Sequence, residues 1–390
     1  MVAEFDTYCA ICCCTLHGGD IGSDAPRILK IRRGRVARRK YWMERDLPYD
    51  ETEDEDEDER QDRKRYMASV LDPGDELLND TDEDDTDTVR SKDYAHSYDP
   101  GILGEDDLNW LSSTYGVGID HRRPGPRRFF IAPFKYEDRH WLYMVNPSND
   151  LELPEDESKF YGYSVSDLDD PPVFPFHWDC LQLLSRAITG IPDSDQLQKE
   201  TLYRAMQDIG GFTRLDLDYG DINGNDQDWQ NIPGEEYSVF CPTVSVELGS
   251  NIPDKVMMNH RTRSDLSAKV IRDPFAHLPY DVTSSIVGLL SGDAVLALCQ
   301  ASWLVCATTR HGAFWKQRLQ RDMVWCWEAQ ELKDGRSKGV DYKQLYLWLE
   351  SKTRTKYGLT GPFLPLVNRR RIWRCCEEIA DRYRRVQAQN

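Results

Sequence analysis

Apolar residues in this chain follow two rhythms. "RRFFIAPF" (127–134) and "HWLYMVNP" (140–147) concentrate aromatic and branched side chains between prolines, and "EEYSVFCPTVSVEL" (235–248) alternates; all three predict strands. Helical spacing governs elsewhere. "EDDLNWLSSTYGVG" (105–118) predicts a short helix with Leu108 and Leu111 as its apolar residues, stopped by Gly116 and Gly118. "FPFHWDCLQLLSRAITG" (174–190) predicts a helix that starts after Pro175, places Leu181, Leu184 and Ile188 on one face and stops at Gly190. Another is expected over about 194–209, where Leu202, Met206 and Ile209 recur before Gly210-Gly211. From Pro274 to the end the pattern is helical. In the last helix Ile372, Cys375 or Cys376, Ile379 and Tyr383 share a face, and this basic-faced amphipathic helix is expected to pack on the preceding domain.

Charge breaks this pattern into segments. The net charge is -19, but residues 46–89 hold twenty acids against four bases, so the remainder is nearly neutral. "DETEDEDEDE" (50–59) has too little apolar surface to build a core, and about 46–99 is expected to be a disordered acidic linker. Before it, "RILKIRRGRVARRKYWMER" (27–45) is strongly basic. It reads as an arm pairing with the acids behind it, or as an import or anion-binding patch. Residues 148–172 read as acidic loop. The fold class is therefore α+β. A Cys-rich start and basic arm (1–45) is expected to pack with a mixed α/β domain (100–260), and the acidic linker separates them. An all-α region (271–322) and a helical basic extension (323–390) follow.

No apolar run approaches the roughly 20 residues that span a bilayer. "MVAEFDTY" lacks the features of a signal peptide. Eleven cysteines, clustered at the start and scattered later, do not resemble a secreted disulfide framework. These points lead us to expect reduced thiols, a cytoplasmic or nuclear location and no membrane partner.

The stretch "DPFAHLPYDVTSSIVGLL" (273–290) carries the main functional signal. Pro279 suits the first turn of a helix, Val282, Ile286 and Leu289/Leu290 form an apolar stripe, Gly292 is expected to end the helix and Asp293 to cap the next. Three short helices in about 45 residues cannot bury all their apolar surface alone. The stretch to Met323 resembles an F-box through Leu278-Pro279, Asp281-Val282, Ile286, Leu290, Asp293, Leu296, Leu298-Cys299, Ser302, Val305 and Trp315. It departs from that pattern at His277 and in the longer tract before Trp315. The wider layout is similar to that of fungal F-box proteins, through Tyr8–Cys12, Pro172–Cys180 and Leu217–Tyr237. The resemblance implies docking on a Skp-type adaptor of a cullin–RING ubiquitin ligase, with Leu278, Pro279, Val282, Ile286, Leu290, Leu296 and Trp315 at the interface. It also implies recruitment of an unknown protein substrate and no catalysis by this chain. The rival reading is a zinc-stabilised or nucleic-acid-associated scaffold in which these helices are only structural. Nucleic acid is the less favoured partner because the basic segments have acids nearby.

Two ligand half-sites stand out. Cys9-x-x-Cys12 and His177-x-x-Cys180 together make a Cys3His set suited to tetrahedral structural zinc. The alternative is small core thiols and a satisfied helix-start histidine, and Cys13, Cys14 and His17 compete as ligands. "DLDYGDINGNDQDW" (216–229) fails as a calcium loop: aligned from Asp221, Asp226 stands where Gly is needed and Ile232 where Glu belongs. No dinucleotide loop, P-loop or nucleophile elbow is present, and no catalytic constellation is found.

Overall fold

The computed structural model describes residues 7–16, 33–34, 37–38, 40–42, 45, 57–70, 98–122, 126–137, 141–163, 171–220, 234–249, 251–253, 270, 272–331 and 340–389. The chain forms two units. One comprises residues 1–244 together with 355–390, and the other residues 245–354. The protein is mixed α+β, as the sequence leads one to expect.

The larger unit is built on five strands: β1 (Thr114–Asp120), β2 (Arg128–Tyr136), β3 (Trp141–Met144), β4 (Lys159–Tyr161) and β5 (Phe174–His177). Their order is β4-β3-β2-β1-β5 with antiparallel neighbours, and a parallel bridge between Gly162 and Val173 brings the two edges together. The sheet thus curls toward a barrel. Its core is aromatic: Phe130, Phe134, Phe160, Phe174 and Phe176 are buried.

The glycines expected to stop a helix at 116 and 118 lie inside β1 instead. A Cβ at Gly118 would stand 2.6 Å from Phe130 Cζ and 2.8 Å from Val173 Cγ2, and one at Gly116 2.6 Å from Val173 Cγ1. Side chains from neighbouring strands fill the space above the β1 backbone, so only glycine fits. What precedes them is a 3-10 turn, Glu105–Ser112.

Other expectations are also corrected. Residues 174–177 form β5, and α2 (Trp178–Thr189) starts two residues later than the start expected after Pro175, ending at Gly190 with φ +88°. The helix expected at 194–209 narrows to α3 (Lys199–Gln207) after a 3-10 turn. The loop expected at 148–172 contributes β4. Residues 235–248 are not a strand: Glu236–Val239 is a 3-10 turn and the rest irregular, because Glu236 is buried and turns inward to accept the Asp99 and Gly234 amides. In the expected disordered linker, α1 (Glu57–Val70) is helical. Met67 packs on Ala37, and Asp62 pairs with Arg45 at 3.0 Å, so the basic arm does meet an acidic neighbour. Residues 46–56 and 71–97 of that linker, His17 and residues 221–233 lie outside the described residues.

The smaller unit is helical: α4 (Tyr280–Leu289), α5 (Gly292–Ala301), α6 (Trp303–Thr308), α7 (Gly312–Asp322), α8 (Trp327–Glu331) and α9 (Tyr342–Thr353). The expected extension 323–390 is divided. Its first part belongs here, whereas α10 (Leu364–Gln389) belongs to the larger unit and packs on α2 and α3. The expected apolar face of α10 is borne out, since Ile372, Cys375, Cys376, Ile379 and Tyr383 are all buried.

Gly118→Ala is expected to destabilise the protein by about 1–3 kcal/mol, through overpacking against Phe130 and Val173. Thermal unfolding of the purified variant checks this.

Candidate metal centre and docking face

Residues 8–15 form a tight hairpin. Tyr8 bridges Thr15, the Cys9 amide donates to the Cys14 carbonyl at 2.9 Å, and the Cys13 amide donates back to the Cys9 carbonyl at 2.9 Å. Cys13 takes the turn's left-handed position at φ +61°, a conformation that non-glycine residues adopt at some cost. The turn is held from outside. Tyr163 and Tyr219 donate hydroxyls to the Tyr8 and Ala10 carbonyls, and the Ala10 amide donates to the Pro175 carbonyl at 2.7 Å.

That last bond lays the hairpin beside β5, where His177 ends the strand and precedes α2. Cys180 lies in the first turn of α2, where the positive end of the helix dipole favours a thiolate. The result is a convergence of Cys9, Cys12, His177 and Cys180. One donor atom from each lies within 4.8 Å of the others, and all four residues are buried. His177 Nδ1 is 3.3 Å from Cys12 Sγ and 3.8 Å from Cys180 Sγ. Its other nitrogen, Nε2, is 2.8 Å from the Thr15 carbonyl. A carbonyl only accepts, so Nε2 carries the proton, and in the neutral ring Nδ1 presents its lone pair to the three sulfurs. A partner on the far nitrogen is how metal-binding histidines are oriented. The Trp110 ring stands edge-on to the imidazole, 4.8 Å between centroids, and closes that side.

Burial pushes the Cys12 and Cys180 thiols well above their ordinary range. Against the same burial, Cys9 is held well below it by hydrogen bonds with those two thiols and by the His177 ring. Burial works to lower His177, but the charge at Cys9 outweighs it and holds the imidazole above its usual value. Without a cation the pocket therefore favours one thiolate rather than three. A divalent ion would supply the missing charge.

Of the competing ligands among the described residues, Cys13 and Cys14 stand outside the four-donor cluster. Cys13 packs with Tyr8, Tyr219 and Cys375, and burial pushes its thiol up to about 12. Cys14 directs its thiol to the Ser238 carbonyl at 3.5 Å, while its amide donates to Cys12 Sγ at 3.4 Å. Sequence reasoning missed Arg371, buried on α10. It donates to the Cys12 carbonyl at 2.8 Å and to Asn368 Oδ1 at 3.0 Å. No local spacing signals a residue that joins the site from the far end of the chain.

In the helical unit, the inward face of α4 is Thr283 and Val287, one residue out of phase with the apolar stripe. The stripe therefore looks outward: Val282 is 43% exposed, Leu289 87%, and Ile286 is half-buried. Pro279 is exposed at the N-cap, with Tyr280 66% exposed beside it, while Leu278, Leu290 and Leu296 are half-buried. Trp315 is different. It has no exposed surface, donates Nε1–H to the Thr309 carbonyl at 2.7 Å and stacks near Tyr346. It belongs to the core of this unit and not to a contact face, which corrects its expected role.

The expected caps shift as well. Ser291, not Asp293, caps α5 by accepting the Ala294 amide, and Gly292 begins that helix instead of ending α4. A Cβ at Gly292 would meet the Tyr346 hydroxyl at 1.9 Å. Ser302 caps α6 and donates to Asp273 at 2.9 Å. From α7, Arg318 donates to the Val287 and Leu290 carbonyls, and Arg321 donates to those of Gly288 and Leu290. Two guanidinium groups thus close the C-terminal end of α4 and leave Leu289 outside.

No protein-family model matches the chain, and neither does any curated protein or solved structure compared with it. Among the described residues, no helix is long and apolar enough to cross a membrane.

Trp315→Ala is expected to cost about 3–5 kcal/mol of stability in the helical unit, as for other fully buried aromatic residues. Hydrogen exchange resolved over residues 280–322 is the appropriate measurement.

Proposed function

We propose that this protein is a non-catalytic receptor. Its helical unit docks on a Skp-type adaptor of a cullin–RING ubiquitin ligase, and its larger unit, stabilised by structural zinc, recruits a protein substrate. The observation that carries the docking half is the phase of α4. A threonine faces inward while Val282 and Leu289 face solvent beside Pro279 and Tyr280. An apolar row left outside in this way suits burial by another subunit. Each well-buried aliphatic anchor contributes about 1.5–3 kcal/mol, so four or five can outweigh the cost of association.

The zinc half rests on the donor set. Three sulfurs and one imidazole nitrogen, all buried, fit a closed tetrahedral site with no open position for catalysis. Zinc there would tie the N-terminal hairpin to β5 and α2. Its contribution is to folding rather than reaction.

The nucleic-acid alternative is weakened by the use made of the basic tail. Arg369 is fully buried and donates to the Pro242 and Val244 carbonyls, and Arg382 pairs with Asp208. These charges already serve the fold.

Two outcomes test the halves separately. The double substitution Leu278→Ala, Pro279→Ala is expected to abolish capture of a purified Skp-type adaptor, with the circular dichroism spectrum unchanged. Undiminished capture would refute the docking reading. Purified protein is expected to contain about one zinc per chain, and Cys12→Ser and Cys180→Ser should each lower it and reduce the melting temperature. Metal content that ignores both substitutions would remove zinc from the account.

A further inference from the structure

Arg371 presents an unresolved charge. Its side chain is 4% exposed, and no carboxylate pairs with it among the described residues. Its partners are the Cys12 carbonyl at 2.8 Å, Asn368 Oδ1 at 3.0 Å, the Ser238 carbonyl at 3.4 Å and Cys14 Sγ at 3.7 Å. Two backbone carbonyls, an amide oxygen and a cysteine sulfur satisfy its donors, but its buried positive charge meets no carboxylate among these partners. Such a charge is costly unless an opposite one lies near.

A matching deficit lies beside it. Three thiolates around a divalent cation carry one net negative charge, since neutral His177 adds none. That charge too would be buried, because all four donors are. Arg371 holds the backbone of one ligand residue, Cys12, and reaches the thiol of Cys14, whose amide donates to Cys12 Sγ. Each group supplies what the other lacks.

We propose that Arg371 is the built-in counter-ion of the metal centre, a positioning residue that neutralises a Cys3His–zinc site and fixes the Cys9–Cys14 turn. The proposal rests on the zinc reading above. The consequence is structural as well as electrostatic. The metal, the N-terminal hairpin and α10 form one coupled set, although Cys12 and Arg371 are 359 residues apart. Metal affinity therefore depends on α10, and the seating of α10 depends on the metal.

The experiment measures zinc affinity of the full chain by competition with a chromophoric chelator, for the native protein, Arg371→Gln and Arg371→Lys. Cobalt(II) substitution provides the spectroscopic control. Arg371→Gln removes the charge, and its affinity is expected to fall about 10–100-fold, as for other groups that support metal ligands. Arg371→Lys keeps the charge but loses the fork, and is expected to lose less than tenfold. The sulfur-to-cobalt absorption should remain in both, showing that the ligands are retained. Equal losses in both variants would mean that hydrogen-bond geometry alone matters and would overturn the counter-ion role. So would an unchanged affinity in Arg371→Gln. If Arg371→Gln does not fold, Arg371→Lys decides, because a tenfold loss there contradicts the proposal. A native chain that takes up no metal would instead refute the zinc reading itself, which is a different result.

Discussion

The larger unit depends on one closure, that of the N-terminal hairpin onto the β5–α2 junction. It brings Cys12 to His177 across 165 residues of chain. Closing so long a loop costs only slightly more than closing a short one, since the entropy grows with the logarithm of length. The harder requirement is that four donors meet in a pocket without water. Protein hydrogen bonds do part of this before any metal is considered. Thr15 fixes the imidazole, Pro175 fixes Ala10, and two tyrosine hydroxyls fix the carbonyls of the turn. Strand, helix start and hairpin are each ordinary, and the site is their junction.

The four clustered donors are legible in the sequence because donor sets able to hold a metal have local spacing. Cys-x-x-Cys and His-x-x-Cys each set two donors on one turn, and those pairs can be read without knowing the fold. The supporting residues were not legible. Arg371 sits in a basic run where its neighbours Arg369 and Arg374 have different environments, one buried on carbonyls and the other exposed. Nothing in the run distinguishes them. Only the way α10 packs on α2, α3 and the 236–239 turn does so.

The errors in the fold share a cause. Gly116 and Gly118 were read as breakers because glycine weakens local structure, yet tertiary crowding by Phe130 and Val173 required them in a strand. Residues 235–248 alternate like a strand, but the buried Glu236 draws backbone amides to itself and turns the segment away from any ladder. In the helical unit, the period of α4 is legible in the sequence, whereas its inward face, Thr283 and Val287, is not. Periodicity shows that a stripe exists, whereas neighbouring helices decide whether it faces in. Here Arg318 and Arg321, both distant in sequence, hold the end of α4 so that Thr283 faces inward.

The order of the chain adds a constraint that neither unit shows alone. Residues 245–354 form their own unit between two parts of the other, and α10 comes last. The larger unit cannot complete its core until α10 is made, because Ile372, Cys376 and Ile379 are fully buried and Arg371 reaches the metal-site turn. The helical unit is complete by Arg354, and helical units generally fold quickly. A zinc-dependent larger unit would then be the last element to close. On the zinc reading, loss of the metal should loosen the first and last segments of the chain together while leaving α4 and its outward stripe intact, because the four clustered donors all belong to the larger unit.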